Sequence, residues 1–544
     1  MIENVIEAEK LEDVPFDRIR LVQGETTIVK SYANYLMDES KVSGGKADLL
    51  FFPNNEQEVA TIIKKLRKEK HKITISAART GIVGSAIPLG GAILVLERMN
   101  KIEGIGFDEK DKRWFVRVQP AISLQEINDF IKTRKFIINE AESQDKSLIQ
   151  RYNEASIHHY PVDPTEMTAS IGGTIGTNAS GSRTFKFGPT RDWVRRIRVV
   201  ISSGEVLDIP RNKYKAKNGK FIIKTENTEY IVEVPTYKMP NAKNAAGLYA
   251  KPEMDLIDLF IGSEGIFGVI TEAEVWVKVY DPLMSNIAFF DDEKDALDFV
   301  YKLRNSDKCK PDFIEYFDKN ALDLLRQKQK EDPKFVNVPP IREGIQTAIS
   351  FDIFYTEETL EFYFEVIEEM LKECNSSLEN TWSAYEEREI TRLKNFRHVV
   401  PEIVNNIIAE RKKQYPAIHK LGTDMSVEDQ HLVDMMRFYH STLNEAGLEY
   451  VIWGHIGNNH VHVNILPRNL ADLELGKKLY MKFAEKAVEY GGSVSAEHGI
   501  GKIKHEYLEV MYGEEGINQM RAVKKALDPD NIFNAGNIFN EVVK

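Results

Sequence analysis

Hydrophobic residues follow two periods over the first third of the chain, and each period predicts a different element. Short apolar runs at Leu49-Leu50-Phe51-Phe52, Ile73-Thr74-Ile75 and Ala92-Ile93-Leu94-Val95-Leu96 read as strands. Between the first two, Glu56 to Lys68 carries apolar residues at helical spacing. Phe115 to Val118 and Ile197 to Ser202 add strands on either side of a glycine-rich stretch at 172–181. Lys213 to Tyr249 is polar and rich in Lys and Asn, which predicts an insertion or mobile loop over about 211–255. Phe260 to Val279 returns to glycine-rich and then β-branched sequence, closing a first α+β domain over 1–281.

From Pro282 the pattern changes. Strand-like runs such as Ala348 to Tyr355 alternate with charged amphipathic helices such as Glu357 to Lys372, which predicts an antiparallel sheet covered by helices over 282–490. Residues 491–544 read as a glycine-rich turn followed by helices that pack back on the first domain. A chain of 544 residues exceeds one core, so several domains are expected.

Composition narrows the partners. A net charge of −12 argues against nucleic acid, which needs a basic footprint, but leaves room for a local cationic pocket and a small anionic substrate. Two distant cysteines, Cys309 and Cys374, exclude iron–sulfur clusters and fit a reducing compartment. The acidic first residues lack the apolar core of a signal peptide, and no apolar run approaches the ~20 residues of a membrane span. A cytoplasmic protein is the expectation, with peripheral membrane attachment and a homodimer left open.

Three segments are rich in glycine: Ala77-Ala78-Arg79-Thr80-Gly81-Ile82-Val83-Gly84, Met167 to Gly181, and Gly262-Ser263-Glu264-Gly265-Ile266-Phe267-Gly268-Val269-Ile270. Any one is a turn; three in one domain suggest one long ligand whose phosphates sit against backbone N–H groups. None has Walker spacing or a GxGxxG opening a helix.

The chemistry-bearing run is Trp453-Gly454-His455-Ile456-Gly457-Asn458-Asn459-His460-Val461-His462-Val463-Asn464-Ile465. From His460 onward, polar residues (His460, His462, Asn464) alternate with apolar ones (Val461, Val463, Ile465), the pattern of a strand with one side on a core and one on a cavity. Glu497-His498-Gly499-Ile500-Gly501 adds a carboxylate and an imidazole on a glycine-flanked turn. Neutral imidazoles with one carboxylate suit a divalent metal such as zinc or manganese. From spacing alone two ligand sets compete: His460 with His462 side by side, or His455 with His462 across the turn and Glu497 as third ligand.

In order and content these segments resemble the FAD-dependent flavoproteins of the vanillyl-alcohol-oxidase type, whose FAD-binding domain has two subdomains, and within them the D-lactate and D-2-hydroxyglutarate dehydrogenase branch. The resemblance implies non-covalent FAD, since the first loop has no histidine for attachment. It implies that Thr80, Gly81, Gly84, Gly172, Gly173, Thr177, Asn178, Gly181 and Ile270 contact it. It also implies that His455, His462 and Glu497 hold the metal, that His498 is the catalytic base, and that Arg397, Lys420 and Asn464 meet the substrate. The expected reaction oxidises a D-2-hydroxy acid to the 2-oxo acid, with hydride passing to flavin N5 and electrons onward to a quinone, cytochrome or electron-transfer flavoprotein. Rival readings are an alkylglycerone-phosphate-synthase-like FAD enzyme without net redox change, and a binder of flavin or metal without turnover. The chain departs from the family pattern at Ala77-Ala78, where paired glycines are usual, and at Asn458-Asn459-His460, where Asp-Gly-Asn is common. No role follows for His460.

Overall fold

The computed structural model describes residues 5–134, 143–331 and 340–540. Its first sheet has four strands in the order Arg20–Gln23, Leu49–Phe52, Ala92–Val95, Ile73–Ser76. The last three pair in parallel because helix Glu56–Lys68, capped by the Asn55 side chain, supplies the crossover between Leu49–Phe52 and Ile73–Ser76. Phe51 and Leu94 bury against Val59, Ile62 and Leu66 of that helix, while Leu50 and Phe52 face a separate core with Ile28 and Tyr35.

A second, antiparallel sheet runs Val206–Pro210, Val194–Val200, Val269–Trp276, Arg113–Val118, Ile102–Asp108. The segment expected as an insertion or mobile loop holds regular structure in its middle. Lys220–Lys224 and Glu229–Glu233 form a hairpin whose inner edge pairs in parallel with Val5–Glu7. Alternation of Phe221 and Ile223, then Tyr230 and Val232, buries one face of that hairpin; its flanking Lys and Asn residues hid this two-residue period.

A seven-stranded antiparallel sheet follows, in the order Thr381–Ala384, Leu283–Phe290, Thr347–Phe354, Pro311–Phe317, Tyr450–His455, His460–Ile465, Leu421–Gly422. Both faces are apolar: Ile287 and Phe289 pack toward helix Glu387–Gln414, Ala288 and Phe290 toward helix Glu293–Arg304. The chain then returns to the first sheet, where Ile532 O accepts from Ile73 N at 2.6 Å and Asn534 N donates to Ile73 O at 2.8 Å. Among the described residues no helix is long and apolar enough to cross a membrane.

Candidate active site

All three glycine-rich segments wall one cavity, and Glu497 and His498 close it. Of the expected cofactor contacts, Thr80, Gly81, Gly172, Gly173, Thr177 and Ile270 line the cavity. Gly84, Asn178 and Gly181 stand behind the wall and shape it. Gly84 O accepts from Lys502 Nζ at 3.3 Å, and Asn178, left-handed at φ +51°, ends helix Ile171–Thr177 and accepts from Arg191 N at 3.0 Å. A Cβ on Gly181 would lie 2.0 Å from Asp163 O.

Glu264 joins these loops to the Glu-His turn. Buried, it accepts from Ile500 N at 2.7 Å, Gly501 N at 2.8 Å and Ser85 Oγ at 2.6 Å. The turn needs its glycines: at Gly499 (φ +79°) a Cβ would be 2.8 Å from Glu264 Oε1, and at Gly501 (φ +54°) 1.9 Å from Val83 O.

The histidine run is a hairpin in which His455 faces His460 and Trp453 faces His462. One ligand atom from each of His455, His460, His462 and Glu497 falls within 4.8 Å of the others. His455 Nε2 is 3.4 Å from Glu497 Oε1, and His462 Nε2 is 3.8 Å from Oε2. The Thr423 carbonyl, which can only accept, lies 2.9 Å from His462 Nδ1, so Nε2 keeps its lone pair toward Glu497. His460 is fully buried and neither ring nitrogen has a hydrogen-bond partner. Burial holds His462 well below the ordinary histidine range and His460 at about 4, so both are neutral. Burial would lower His455 too, but the Glu497 and Glu315 carboxylates push it up to about 9. Glu497 stays far below the usual carboxylate range because Lys243 and His455 outweigh its burial. Three imidazoles around one carboxylate, His460 and His462 neutral and His455 charged, are a donor set suited to a divalent transition ion, and binding one would displace the proton on His455.

His498 is set by Asp424. The buried Asp424 Oδ2 is 3.1 Å from His498 Nδ1 and accepts from His498 N at 3.0 Å, Ser495 Oγ at 2.6 Å and Lys504 Nζ at 2.8 Å. Its Oδ1 accepts from Glu497 N at 3.1 Å. With Nδ1 donating to the carboxylate, His498 Nε2 holds the lone pair.

The expected substrate residues are placed differently from one another. Arg397 pairs with buried Glu315 (Nη2 to Oε1, 2.7 Å), and the same Oε1 lies 3.1 Å from His455 Nδ1, so Arg397 is one carboxylate away from the cluster. Asn464 is buried in the strand beside His462, donating to His462 O at 3.0 Å. Lys420 precedes strand Leu421–Gly422 and makes no hydrogen bond or ion pair among the described residues; burial lowers its pKa. Three residues beyond those expected complete the site. Glu315 is a buried acid within strand Pro311–Phe317, Asp424 a buried acid just past strand Leu421–Gly422, and Lys243, from the stretch expected as an insertion or mobile loop, puts Nζ 2.6 Å from Glu497 Oε1 with only 3 % of its side chain exposed.

The chain is similar over most of its length to known FAD-linked proteins. An FAD binding domain model matches residues 47–150 and 147–210, and the C-terminal domain of FAD linked oxidases matches 284–538. The chain is 26% identical over 524 residues to a D-lactate dehydrogenase of Anaerostipes hadrus, covering 93% of this chain and 92% of the relative. A D-2-hydroxyglutarate dehydrogenase of Stutzerimonas stutzeri is 26% identical over 519 residues (93% and 94%), and the glycolate oxidase subunit GlcD of Bacillus subtilis 26% over 510 residues (93% and 92%). Among solved structures, an alkyldihydroxyacetonephosphate synthase superposes with a TM-score of 0.59 at 14% identity, covering 97% of this chain and 88% of that one; at that identity the likeness is one of fold.

Proposed function

The chain belongs to the FAD-linked oxidase superfamily, and from that footing we propose that it oxidises a small D-2-hydroxy acid to the 2-oxo acid with the help of a divalent metal. The observation that carries this reading is that the carboxylate-oriented imidazole of His498 and the carboxylate of the His/Glu cluster, Glu497, both line the cavity walled by the glycine-rich segments. When bound, FAD supplies the hydride acceptor and the metal supplies polarisation of the substrate hydroxyl.

His498 Nε2 takes the hydroxyl proton as the Cα hydride departs, and Asp424 holds the imidazole in the accepting tautomer and stabilises its charged form. One proton and one hydride leave, which balances the two-electron oxidation. His455, His462 and Glu497 are the residues to hold the metal, zinc or manganese, with Lys243 carrying part of the Glu497 charge. Asn464 and Arg397 stand beside the cluster as the substrate contacts, Arg397 acting through its position against Glu315. Both cysteines are buried and unpaired, so the electrons pass to an external acceptor such as a quinone, cytochrome or electron-transfer flavoprotein.

Anaerobic mixing of the FAD-loaded protein with D- and L-2-hydroxy acids tests this directly. Bleaching of the flavin by D-acids is expected, with a loss of about 10²-fold or more in rate after chelation, restored by added metal. A flavin that stays oxidised with lactate, 2-hydroxyglutarate and larger homologues would overturn the reading.

A further inference from the structure

The roles assigned above use every member of the cluster except His460, and its surroundings are unusual for a core histidine. It has 0% exposure, and both ring nitrogens lack a hydrogen-bond partner, although Asp424 Oδ1 lies 3.2 Å from Nε2. A buried polar atom left without a hydrogen-bond partner is uncommon and calls for a water, an ion or a functional role. The backbone aims it at the cluster: His460 is the cross-strand neighbour of His455 and lies two residues before His462 on the same face of the hairpin. Ring centroids are 5.5 Å from His455 and 4.5 Å from His462. The tight turn at Ile456–Asn458, closed by Asn459 at φ +54°, fixes that register.

We propose that His460 is a fourth protein ligand, so that this chain offers three imidazoles and one carboxylate to its metal. The inference rests on the metal reading above and extends it. Such a set favours zinc, iron, cobalt or nickel over magnesium and calcium, because nitrogen donors dominate. It also leaves fewer open positions for substrate oxygens, so an ion that accepts six ligands keeps room for a chelating hydroxy acid.

The test uses the FAD-loaded full chain reconstituted with zinc, in wild-type form and as His460→Asn and His460→Gln. X-ray absorption at the zinc edge counts imidazoles, and competition with a chromophoric chelator gives affinity. Three imidazoles are expected in the wild type and two in either variant, with zinc held at least about 10-fold more weakly. Two imidazoles in the wild type would overturn the proposal while leaving the metal in the reaction. So would an unchanged count in a variant, even with weakened affinity, because His460 would then act only on Asp424. No zinc bound at micromolar ion would remove the metal reading itself, and this proposal with it. Flavin content and melting of each variant report folding; should both variants fail to fold, the wild-type count alone decides.

Discussion

Asp424 carries the largest number of obligations of any one side chain at the site. Burial alone would raise its carboxyl, yet the neighbouring His498, Lys504 and His460 side chains hold it well below the ordinary range. A carboxylate so placed fixes the tautomer and direction of the His498 imidazole. Asp424→Asn keeps the shape and reverses that hydrogen-bonding preference, so the rate of flavin reduction should fall by about 10²–10⁴-fold. Flavin content should stay near wild type, because Asp424 does not line the cofactor cavity. Stopped-flow reduction beside a flavin count checks both halves; a variant reducing its flavin at the wild-type rate would remove Asp424 from the mechanism. His498→Gln should lose a comparable factor, and the double variant no more than the worse single one, since the two act as a unit.

At the scale of elements, one contact shapes the site and another holds two helices of the second domain together. In the Glu-His turn, Gly501→Ala puts a Cβ 1.9 Å from Val83 O in a left-handed conformation, costing about 1–3 kcal/mol and pushing the first loop outward. Flavin affinity measured by equilibrium dialysis should drop about 10-fold or more. Farther off, helix Leu432–Ala446 meets helix Glu293–Arg304 through His440 Nε2, 2.9 Å from Glu293 Oε1. Burial would lower His440, but the Glu293 hydrogen bond and charge raise it above its ordinary value. A raised histidine contributes its stability in full below about pH 6.5 and loses it as pH climbs through the folded value. Melting temperature should therefore decline above pH 6.5 in the wild type, and His440→Gln should flatten that decline. Elements of this kind were legible unequally. The alternation His460-Val461-His462-Val463-Asn464 announced its strand, and Glu56 to Lys68 its helix, because period and local caps agree there. Lys243 was not legible: its partner Glu497 lies 254 residues away, and a Lys in a polar stretch carries no mark of burial. Asp424 and Glu315 were equally silent, since a lone acid in or beside a strand reads as solvent-facing until the sheet is assembled.

For the whole molecule, the cavity walled by the glycine-rich segments exists only because distant parts of one chain are closed onto each other. Loops from near residues 80, 175 and 265 meet a turn near 498, and Asn534 completes the lining. The closing strap is the segment Ile532 to Asn537. Asn534 Oδ1 accepts from Ile75 N at 2.8 Å while its Nδ2 donates to Glu264 O at 2.7 Å, and Asn537 Nδ2 donates to the same oxygen at 3.0 Å. Beneath them Phe533 is fully buried against the core that backs the first sheet, and Lys524 and Asp528 form a buried ion pair bonded to its backbone. Removing the ring should thus weaken cofactor binding without touching the cofactor. Phe533→Ala is expected to cost about 3–5 kcal/mol, the usual range for a deleted core aromatic. At 2–4 °C per kcal/mol for a domain of this size, that lowers the melting of the flavin-binding part by roughly 6–20 °C. Because FAD binds the folded state alone, excess FAD should restore part of the loss in the variant. Calorimetry with and without FAD distinguishes the cases: a variant that melts at the wild-type temperature would mean that the strap is dispensable, and one insensitive to FAD that the strap and the cavity are uncoupled.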